Sequence, residues 1–343
     1  MRESAFTQKI FYRFFFPAVA ASVCLGLANL ADALCVGMML GESALAAISL
    51  VSPIYMVFNV LHLGIAIGGS VTFAQLMGEG RVKQGVEVFR QMLVLALAVG
   101  IGLAVLGEIF LEPLLRLLGT DPSQGDVYTM TRDYAVRLIA AAPLFFLNML
   151  FYYFIRCDDG EKRASVGLAV SNLLDVGLSF VFVLGFGMGV NGAVYSTIAG
   201  VAVANLIYLP HFLKKSNILS LRLTRPEPGT MFQCYRTGFS SSSQYIWQFL
   251  FFLIINNLLI SRHGESGLAV FNVVLNISYL VVGLFDGVGA TIQPLAATFH
   301  GERNKKAERD TLHLALKWGG ALGLVLLAVL AVFAPQVAAL FGL

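Results

Sequence analysis

Acidic and basic residues are scarce in this chain, and their scarcity excludes an ordinary soluble domain. Only 13% of the 343 residues are charged, whereas about 25% is usual for a soluble domain. The formal net charge is only +3, so the composition does not indicate a nucleic-acid partner. The chain therefore lacks the polar surface that a water-exposed fold needs.

Cysteine and catalytic motifs are also sparse. The four cysteines are far apart in sequence and form no Cys-x-x-Cys or metal-ligand spacing, so we interpret them as small apolar fillers. The sequence contains no nucleophile–base, nucleotide or metal-binding motif. We therefore predict that the protein is not an enzyme and carries no cofactor.

Long apolar stretches dominate what is present. The hydrophobic fraction is 57% and the mean hydropathy is +0.78, and a helix of about 20 such residues crosses a bilayer. The first stretch is too long for a signal peptide and contains Asp32, so we interpret it as a retained helix. Nine stretches qualify as spans: near 14–39, 47–76, 91–111, 133–155, 165–187, 191–213, 239–261, 267–299 and 312–333.

The distribution of positive charge predicts the orientation of these spans. With the N-terminus placed in the cytoplasm, 19 of the 23 Lys and Arg residues fall on the cytoplasmic side, as the positive-inside rule requires. The other side keeps Arg116, Arg132, Arg137 and Arg262. We therefore expect a multi-pass protein of the cytoplasmic (inner) membrane with a cytoplasmic N-terminus.

A repeat with an offset of 223 residues runs through the chain. Residues 41–83 and 264–306 align without a gap, and 13 of 43 positions are identical. The repeated helices carry Gly-x-x-x-Gly pairs, Gly64/Gly68 and Gly283/Gly287, which predict close helix packing. Duplicated sets of membrane helices are typical of secondary transporters.

The repeat divides the chain into two lobes. Residues 1–213 hold the first six helices, a basic, Pro-containing stretch at 214–238 is interpreted as a cytoplasmic linker, and 239–343 form a partial second lobe. Six helices return the chain to the same side, so the two copies form a parallel repeat. The C-terminus corresponds to about residue 120 of the first copy. We expect an all-α membrane protein of which three helices are missing, as in a fragment of a longer transporter.

Several short motifs, in this order, resemble the multidrug and toxic compound extrusion (MATE) family. The resemblance implies a helical, cation-coupled exporter of small lipophilic or cationic compounds, whose members have twelve helices in two six-helix lobes. It covers the whole chain and is specific only when the motifs are taken together. The motifs are Gly41 to Ala47 with Pro53, Ala74 to Gly80, Phe154 to Gly160, Ser171 to Asp175 and Gly189 to Thr197.

Acids within the spans are the candidate coupling residues. A charge at the bilayer centre costs about 2.5–3.5 kcal/mol on insertion scales, and Asp32 and Asp175 lie inside spans. With Asn172 and Thr197 they resemble the cation site of the family's N-terminal lobe. In the family the amide stands four residues before the acid, a position that Ser171 occupies here, so either Ser171 or Asn172 takes this role.

Two coupling ions and three functions remain open at this point. Buried carboxyls can take up and release protons, and the same oxygens can bind Na⁺ as the only metal expected. Asp286 is a further candidate, with Leu63 at its repeat position. Besides export by a monomer, the alternatives are a lipid-linked oligosaccharide flippase of the same superfamily and a non-transporting fragment. A flippase would need basic residues in its cavity, whereas the deep ionisable residues here are mostly acidic.

Overall fold

The structure is a computed structural model that describes the backbone of residues 2–118, 120, 122–214 and 217–340. Within these ranges, side chains are not described for 2–5, 25, 27–43, 45–46, 49, 124, 249, 252–253, 255–277, 279–280 and 333–340. Every statement below about absence refers to the described residues.

The described chain contains ten α-helices, one 3₁₀ turn and one π-helix, and no strand. Their bounds are α1 Arg2–Gly78, α2 Val82–Ile109, α3 Leu111–Leu117, α4 Asp126–Ala140, α5 Ala142–Cys157, α6 Glu161–Phe180, α7 Val190–Leu213, α8 Pro228–Ser242, α9 Gln244–Gly301 and α10 Lys305–Leu340. The 3₁₀ turn is Pro122–Gln124, and the π-helix Val181–Gly185 continues α6.

Most of these helices are long and apolar enough to cross a membrane. Six described segments qualify: Leu50–Gly78, Val82–Ile109, Glu161–Gly185, Val190–Leu213, Val281–Gly301 and Lys305–Val332. Helices α4 and α5 together meet the same criteria of length and composition and are bent by 50° relative to each other, so they count as a seventh candidate if the pair is one span. The prediction of an all-α membrane protein is thereby confirmed.

The chain reverses direction inside α1, where two separate spans were predicted. Its 77 residues would measure about 115 Å if straight. Near its start, Phe11 packs in one apolar cluster with Phe299, while a methyl group on Gly78, its last residue, would lie 2.1 Å from the carbonyl oxygen of Thr298. Both ends of α1 therefore lie beside the same part of α9, so the segment crosses the bundle twice.

Helix α9 reverses for a similar reason. It follows Ser242, which lies beside Gly64, and it ends at Gly301, which lies beside Gln75. Gly64 and Gln75 are only 11 residues apart on α1, or about 16 Å, whereas the 58 residues of α9 would span about 87 Å if straight. Two predicted spans, 239–261 and 267–299, are thus joined in one element.

Helix ends reproduce the 223-residue repeat. Helix α1 ends at Gly78 and α9 at Gly301, and α2 begins at Val82 and α10 at Lys305. The turns between them share a left-handed residue, with φ of 76° at Gly80 and 57° at Arg303. Because glycine adopts this conformation without strain, only the first copy has the preferred residue there.

Contacts between the two halves obey the same offset. A methyl group on Gly78 would lie 2.1 Å from the Thr298 carbonyl oxygen, and one on Gly301 would lie 2.1 Å from that of Gln75. Each residue of the first pair is displaced by 223 from one of the second. Reciprocal contacts of this kind define a two-fold interface. Both helices end there, so we call this end of the bundle the Gly78–Gly301 end.

Glycines allow the same close approach farther from that end. Gly68 faces the backbone of Gly238 in α8, and Gly287 faces Val19 and Ser22 of α1. The predicted packing role is confirmed for Gly64, Gly68 and Gly287. Gly283 differs, because a methyl group there would have no described atom within 4 Å. The first glycine of the second pair is therefore not a packing residue.

The stretch predicted as a linker, 214–238, is helical in its second part. Pro228 stands in the first turn of α8, where a missing N–H costs nothing. Met231 and Cys234 are buried, and Gly238 lies against Gly68. The composition looked polar because one face of α8 is exposed while the other packs on α1.

Candidate functional site

Asp175 lies between α6 and α7, well inside a membrane span. It stands 14 residues after the start of α6 at Glu161, or about 21 Å along the helix. Six residues later, α6 gives way to the π-helix Val181–Gly185, and such irregularities are frequent at functional sites. The backbone thus places one carboxylate deep in the first half of the molecule.

Two hydroxyl groups of α7 hold this carboxylate. Ser196 Oγ lies 2.8 Å from Asp175 Oδ1, and Thr197 Oγ1 lies 3.0 Å from the same oxygen. The Ala193 carbonyl oxygen lies 2.7 Å from Ser196 Oγ and 3.1 Å from Thr197 Oγ1, so the proton of each hydroxyl is shared between this carbonyl and Asp175. Hydrogen bonds to charged groups are the stronger class, and these two fix Asp175 against α7.

A further hydroxyl extends the network into the buried interior. Ser179 Oγ lies 2.7 Å from Ser196 Oγ, and both side chains are fully buried. When Ser196 donates to Asp175, Ser179 donates to Ser196. The result is a chain of hydroxyl groups that ends on the carboxylate.

Sequence reasoning predicted Thr197 and missed Ser196 and Ser179. Ser179 stands four residues after Asp175, and this spacing places both on one face of α6. Ser196 directly precedes Thr197. These spacings were the available signal, but serine often bonds its own helix carbonyl, and sequence alone does not separate the two uses.

Asn172 and Ser171 have different surroundings. The Nδ2 atom of Asn172 is buried and finds no hydrogen-bond partner in the described residues. Ser171 is buried where α6 and α7 approach closely, since a methyl group on Gly200 would lie 2.6 Å from the Ser171 carbonyl oxygen. Asn172 therefore has unused hydrogen-bonding capacity three residues from Asp175, whereas Ser171 lies at a packing contact.

The other two predicted acids are not placed in this group. The Asp32 side chain lies outside the described residues, so its membership of the site stays a prediction. Asp286 is on α9, in the other half of the molecule. Of the predicted residues, the structure brings together Asp175 and Thr197, with Asn172 and Ser171 on the same helix as Asp175.

The polar atoms of this site are mainly carboxylate and hydroxyl oxygens. One carboxylate and three hydroxyl groups come together between α6 and α7, and the buried amide of Asn172 lies three residues before the carboxylate on α6. Such groups can bind a proton on the carboxylate or coordinate a hard cation. Rotation of the Asn172 amide would present Oδ1 in place of Nδ2. Among the described residues, no three His, Cys, Asp or Glu side chains are grouped as metal ligands.

Curated proteins with related sequences are bacterial multidrug-resistance, multidrug-export and transport proteins by name. The chain is 25% identical over 337 residues to the probable multidrug resistance protein YoeA of Bacillus subtilis, covering 96% of this chain and 72% of that one. It is 25% identical to the multidrug export protein MepA of Staphylococcus saprophyticus, covering 73% and 56%. A FAD transporter of Shewanella oneidensis is 23% identical, with 88% and 68% covered. The chain thus spans between about half and three quarters of these relatives.

Solved structures agree over nearly the whole chain. A crystal structure of a MATE protein in complex with MaD3S superposes with a TM-score of 0.90 at 27% identity, covering 98% of this chain and 75% of that one. The outward-facing conformation of a multidrug resistance MATE family transporter gives 0.89 at 26%, with 98% and 74% covered.

A comparison with protein families matches MatE at residues 17–181 and 240–343. These two ranges comprise most of the sequence, and the unmatched 182–239 includes the predicted linker. The chain belongs to the MATE (MatE) family.

Proposed function

We propose that this protein exports small lipophilic or cationic compounds from the cell and that Asp175 couples export to H⁺ or Na⁺ entry. The names of YoeA and MepA support export of drugs as the activity. The deep, hydroxyl-bonded carboxylate of Asp175 supports the site of coupling. Because this chain spans only 56% of MepA, the activity belongs to the proposal and not to the family assignment.

The single observation that carries the coupling assignment is the pair of hydroxyl contacts to Asp175 Oδ1. A carboxylate in the membrane is costly, and here its surroundings adapt to either of its states. Hydroxyl groups donate to the anion and can rotate to accept from a protonated acid. Binding of H⁺ or Na⁺ therefore changes the contacts between α6 and α7, and this change biases the conformational equilibrium of the first half.

The test is ethidium efflux from cells that lack their own drug pumps. Asp175→Asn keeps the size of the side chain and removes its charge, so efflux should fall to the level of cells without the protein. Asp126→Asn is the matched control, because Asp126 is exposed in the first turn of α4. Normal efflux by Asp175→Asn, at an equal amount of protein in the membrane, would contradict the assignment.

The same protein in liposomes tests the coupling ion. A pH gradient and a Na⁺ gradient are imposed separately, and ethidium movement is followed under each. Asp32 and Asn172 enter this proposal as further ligands, with Ser171 as the alternative to Asn172. If neither gradient drives ethidium movement, coupling by these ions is wrong.

Placement in the membrane completes the proposal. The charge distribution supports a cytoplasmic N-terminus in the cytoplasmic membrane, with the Gly78–Gly301 end facing the cytoplasm. We expect a monomer that acts on a small-molecule substrate, without a cofactor. Labelling of cysteines introduced singly near Arg13 and Tyr128 with an impermeant thiol reagent tests the orientation, and only the second should react from outside.

Transport of lipid-linked sugars finds no support in the described residues. Arg137, the basic residue nearest the outer end of its span, is held by the Tyr195 hydroxyl at 2.9 Å and by Asp133 at 3.7 Å. Both partners come from the same region, α4 and α7. Arg137 is therefore engaged within the first half and does not present a free cation to a pyrophosphate.

A further inference from the structure

A cavity of about 190 Å³ lies where α6 begins and α7 ends. Its walls come from Arg13 of α1, the first turn of α6, His211 near the end of α7 and the chain that follows α7. The segments Glu161–Gly185 and Val190–Leu213 are both long and apolar enough to cross a membrane. The cavity therefore lies at the ends of two spans, at the level of the polar headgroups of a bilayer.

Three basic side chains of this cavity have no partner. Lys162, Arg163 and Lys214 line it, and none of their side chains makes a hydrogen bond or an ion pair with the described residues. The Nη1 atom of Arg163 is moreover buried in this state. A buried guanidinium nitrogen without an acceptor is costly. These three groups can therefore bind an anion without first giving up a contact within the protein.

The acidic side chains of the same walls are engaged with Arg13. Glu161, whose side chain is nearly fully buried, accepts from Arg13 Nε, and Asp159 lies 3.9 Å from Nη2 of the same guanidinium. His211 is held by Asp158 Oδ2 at 2.9 Å. The lining thus has four Lys and Arg side chains against two carboxylates. An excess of two positive charges remains for a ligand.

Exposed apolar faces of α6 and α7 lead to these cations. On α6, Val166 and Leu173 are exposed and follow Lys162 by four and eleven positions, a spacing that places all three on one face. On α7, Leu206 and Leu213 are exposed at a spacing of seven, and the residue after Leu213 lines the cavity. Apolar side chains that are exposed within a span contact the acyl chains of the bilayer. The cavity is therefore continuous with a lipid-facing surface.

We propose that this cavity binds the phosphate headgroup of an anionic phospholipid, whose acyl chains lie along the exposed faces of α6 and α7. Basic pockets between membrane helices suit such headgroups, and the first turn of α6 adds backbone N–H groups without helical partners. The ligand is a lipid and not a free phosphate, because apolar surface adjoins the cations on both helices. Asp175 lies about 21 Å farther along α6, so this site is separate from the coupling site and does not depend on the exported compound.

Native mass spectrometry of the purified protein in a neutral detergent tests the site. The protein is offered phosphatidylglycerol and phosphatidylcholine in equal amounts, and one phosphatidylglycerol should bind in preference. Lys162→Gln combined with Lys214→Gln should lower the affinity for phosphatidylglycerol by about tenfold or more and leave that for phosphatidylcholine within about twofold. Both lysines are exposed, so the double variant should fold normally.

Lys83→Gln combined with Lys305→Gln is the matched control. Both lysines are exposed in the first turns of α2 and α10, and neither lines the cavity. This variant loses the same two charges, so its affinity for phosphatidylglycerol should stay within about twofold of the wild type. An equal loss in the two double variants would show a general effect of charge and overturn the proposal.

Glycerol phosphate, which carries a phosphate without acyl chains, distinguishes a lipid from a free anion. It should not displace phosphatidylglycerol at an equal concentration, and displacement would assign the cavity to a free phosphate instead of a lipid. Equal binding of the two lipids by the wild type, or an unchanged preference in the Lys162 and Lys214 variant, would also overturn the proposal.

A further measurement needs no variant. Acetylation of lysines by N-hydroxysuccinimidyl acetate is followed by peptide mass spectrometry in nanodiscs with and without phosphatidylglycerol. The anionic lipid should slow the labelling of Lys162 and Lys214 relative to Lys83, which serves as the internal reference. Equal changes at all three lysines would contradict a bound headgroup in the cavity.

Discussion

Two of the acids that lie within membrane spans, Asp175 and Asp286, have opposite surroundings. Asp175 is enclosed between α6 and α7 by the hydroxyl groups of Ser196 and Thr197. Asp286 is exposed on α9 and has no bonded partner in the described chain. Asp175 thus has hydrogen-bond partners within its own half, whereas the exposed Asp286 has none among the described residues.

This difference shows that the repeat extends to the packing of the helices but not to the acid on α9. The packing contacts recur at an offset of 223 residues, as for Gly78 and Gly301. Asp286 has no acidic counterpart in the first copy, because Leu63 stands at its repeat position and is buried. The packing contacts at Gly78 and Gly301 are therefore symmetric, whereas the acid on α9 is not.

The largest expected effects come from neutralising each acid in turn. The two variants are then compared by which substrates they no longer export. Asp175→Asn should reduce efflux of every substrate by about 100-fold, because the driving ion no longer changes the conformational equilibrium. Asp286→Asn should reduce efflux of cationic dyes such as ethidium and spare neutral compounds. Efflux by pump-deficient cells, with a panel of charged and neutral substrates at matched expression, measures both.

If both variants lost efflux of the same substrates, Asp175 and Asp286 would not have different roles. If Asp286→Asn abolished neutral and cationic efflux alike, Asp286 would belong to the coupling machinery. If Asp175→Asn affected only cations, the two roles would be exchanged. The exposed Asp126→Asn variant provides the reference for a change of charge without a change in transport.

The glycine contacts test whether the two halves are equivalent in their packing. Gly78→Ala and Gly301→Ala each place a methyl group 2.1 Å from a backbone oxygen. Each should destabilise the protein by about 1–3 kcal/mol, the usual cost of overpacking, and by similar amounts because the contacts are related by the repeat. Thermal unfolding in detergent measures the effect.

Gly283→Ala is the matched control for these substitutions. It lies on the same helix as Gly301, but no described atom is within 4 Å of the added methyl group. The midpoint temperature of thermal unfolding of Gly283→Ala should equal that of the wild type or exceed it, since alanine is a better helix former than glycine. A large difference between Gly78→Ala and Gly301→Ala would show that the two-fold contact is not equivalent in energy.

The sequence predicted features that depend on local pattern. Apolar length predicted an all-helical membrane protein, and the repeat indicated where equivalent helices would end, as at Gly78 and Gly301. The position of Asp175 within a span followed from counting residues. These features need only the period and length of one helix, which the chain itself specifies.

Features that depend on which helices meet were not predictable. Gly283 matched the Gly-x-x-x-Gly pattern and yet has no close neighbour among the described atoms, because the pattern does not say which face meets a partner. Arg156 was assigned to a cytoplasmic loop and is instead buried across the boundary between the halves. Ser196 was missed because its contact with Asp175 spans 21 residues and two helices.

The hydroxyl groups around Asp175 provide a finer test of why this acid differs from Asp286. Ser196→Ala together with Thr197→Val should lower transport by about tenfold or more, since hydrogen bonds to a charged group contribute about 1.5–3 kcal/mol. Thr131→Val is the control, because Thr131 is as buried as Ser196 and its described hydrogen bond is to its own helix, at the Val127 carbonyl. Initial rates of ethidium efflux by the double variant and by the control variant are compared with the wild-type rate. Equal rates in the double variant and the control would show that the hydroxyl contacts are structural.

The smallest expected effect separates Asn172 from Ser171. Ser171 lies at the packing contact with Gly200, where alanine fits as well as serine, so Ser171→Ala should leave efflux within about twofold. Asn172→Ala removes an amide whose buried Nδ2 has no described partner, so folding should change little while the affinity for the coupling ion falls several-fold. The dependence of efflux on external pH and Na⁺ measures that affinity. A larger effect at Ser171 than at Asn172 would move the ligand one residue along α6 and restore the four-residue spacing to Asp175.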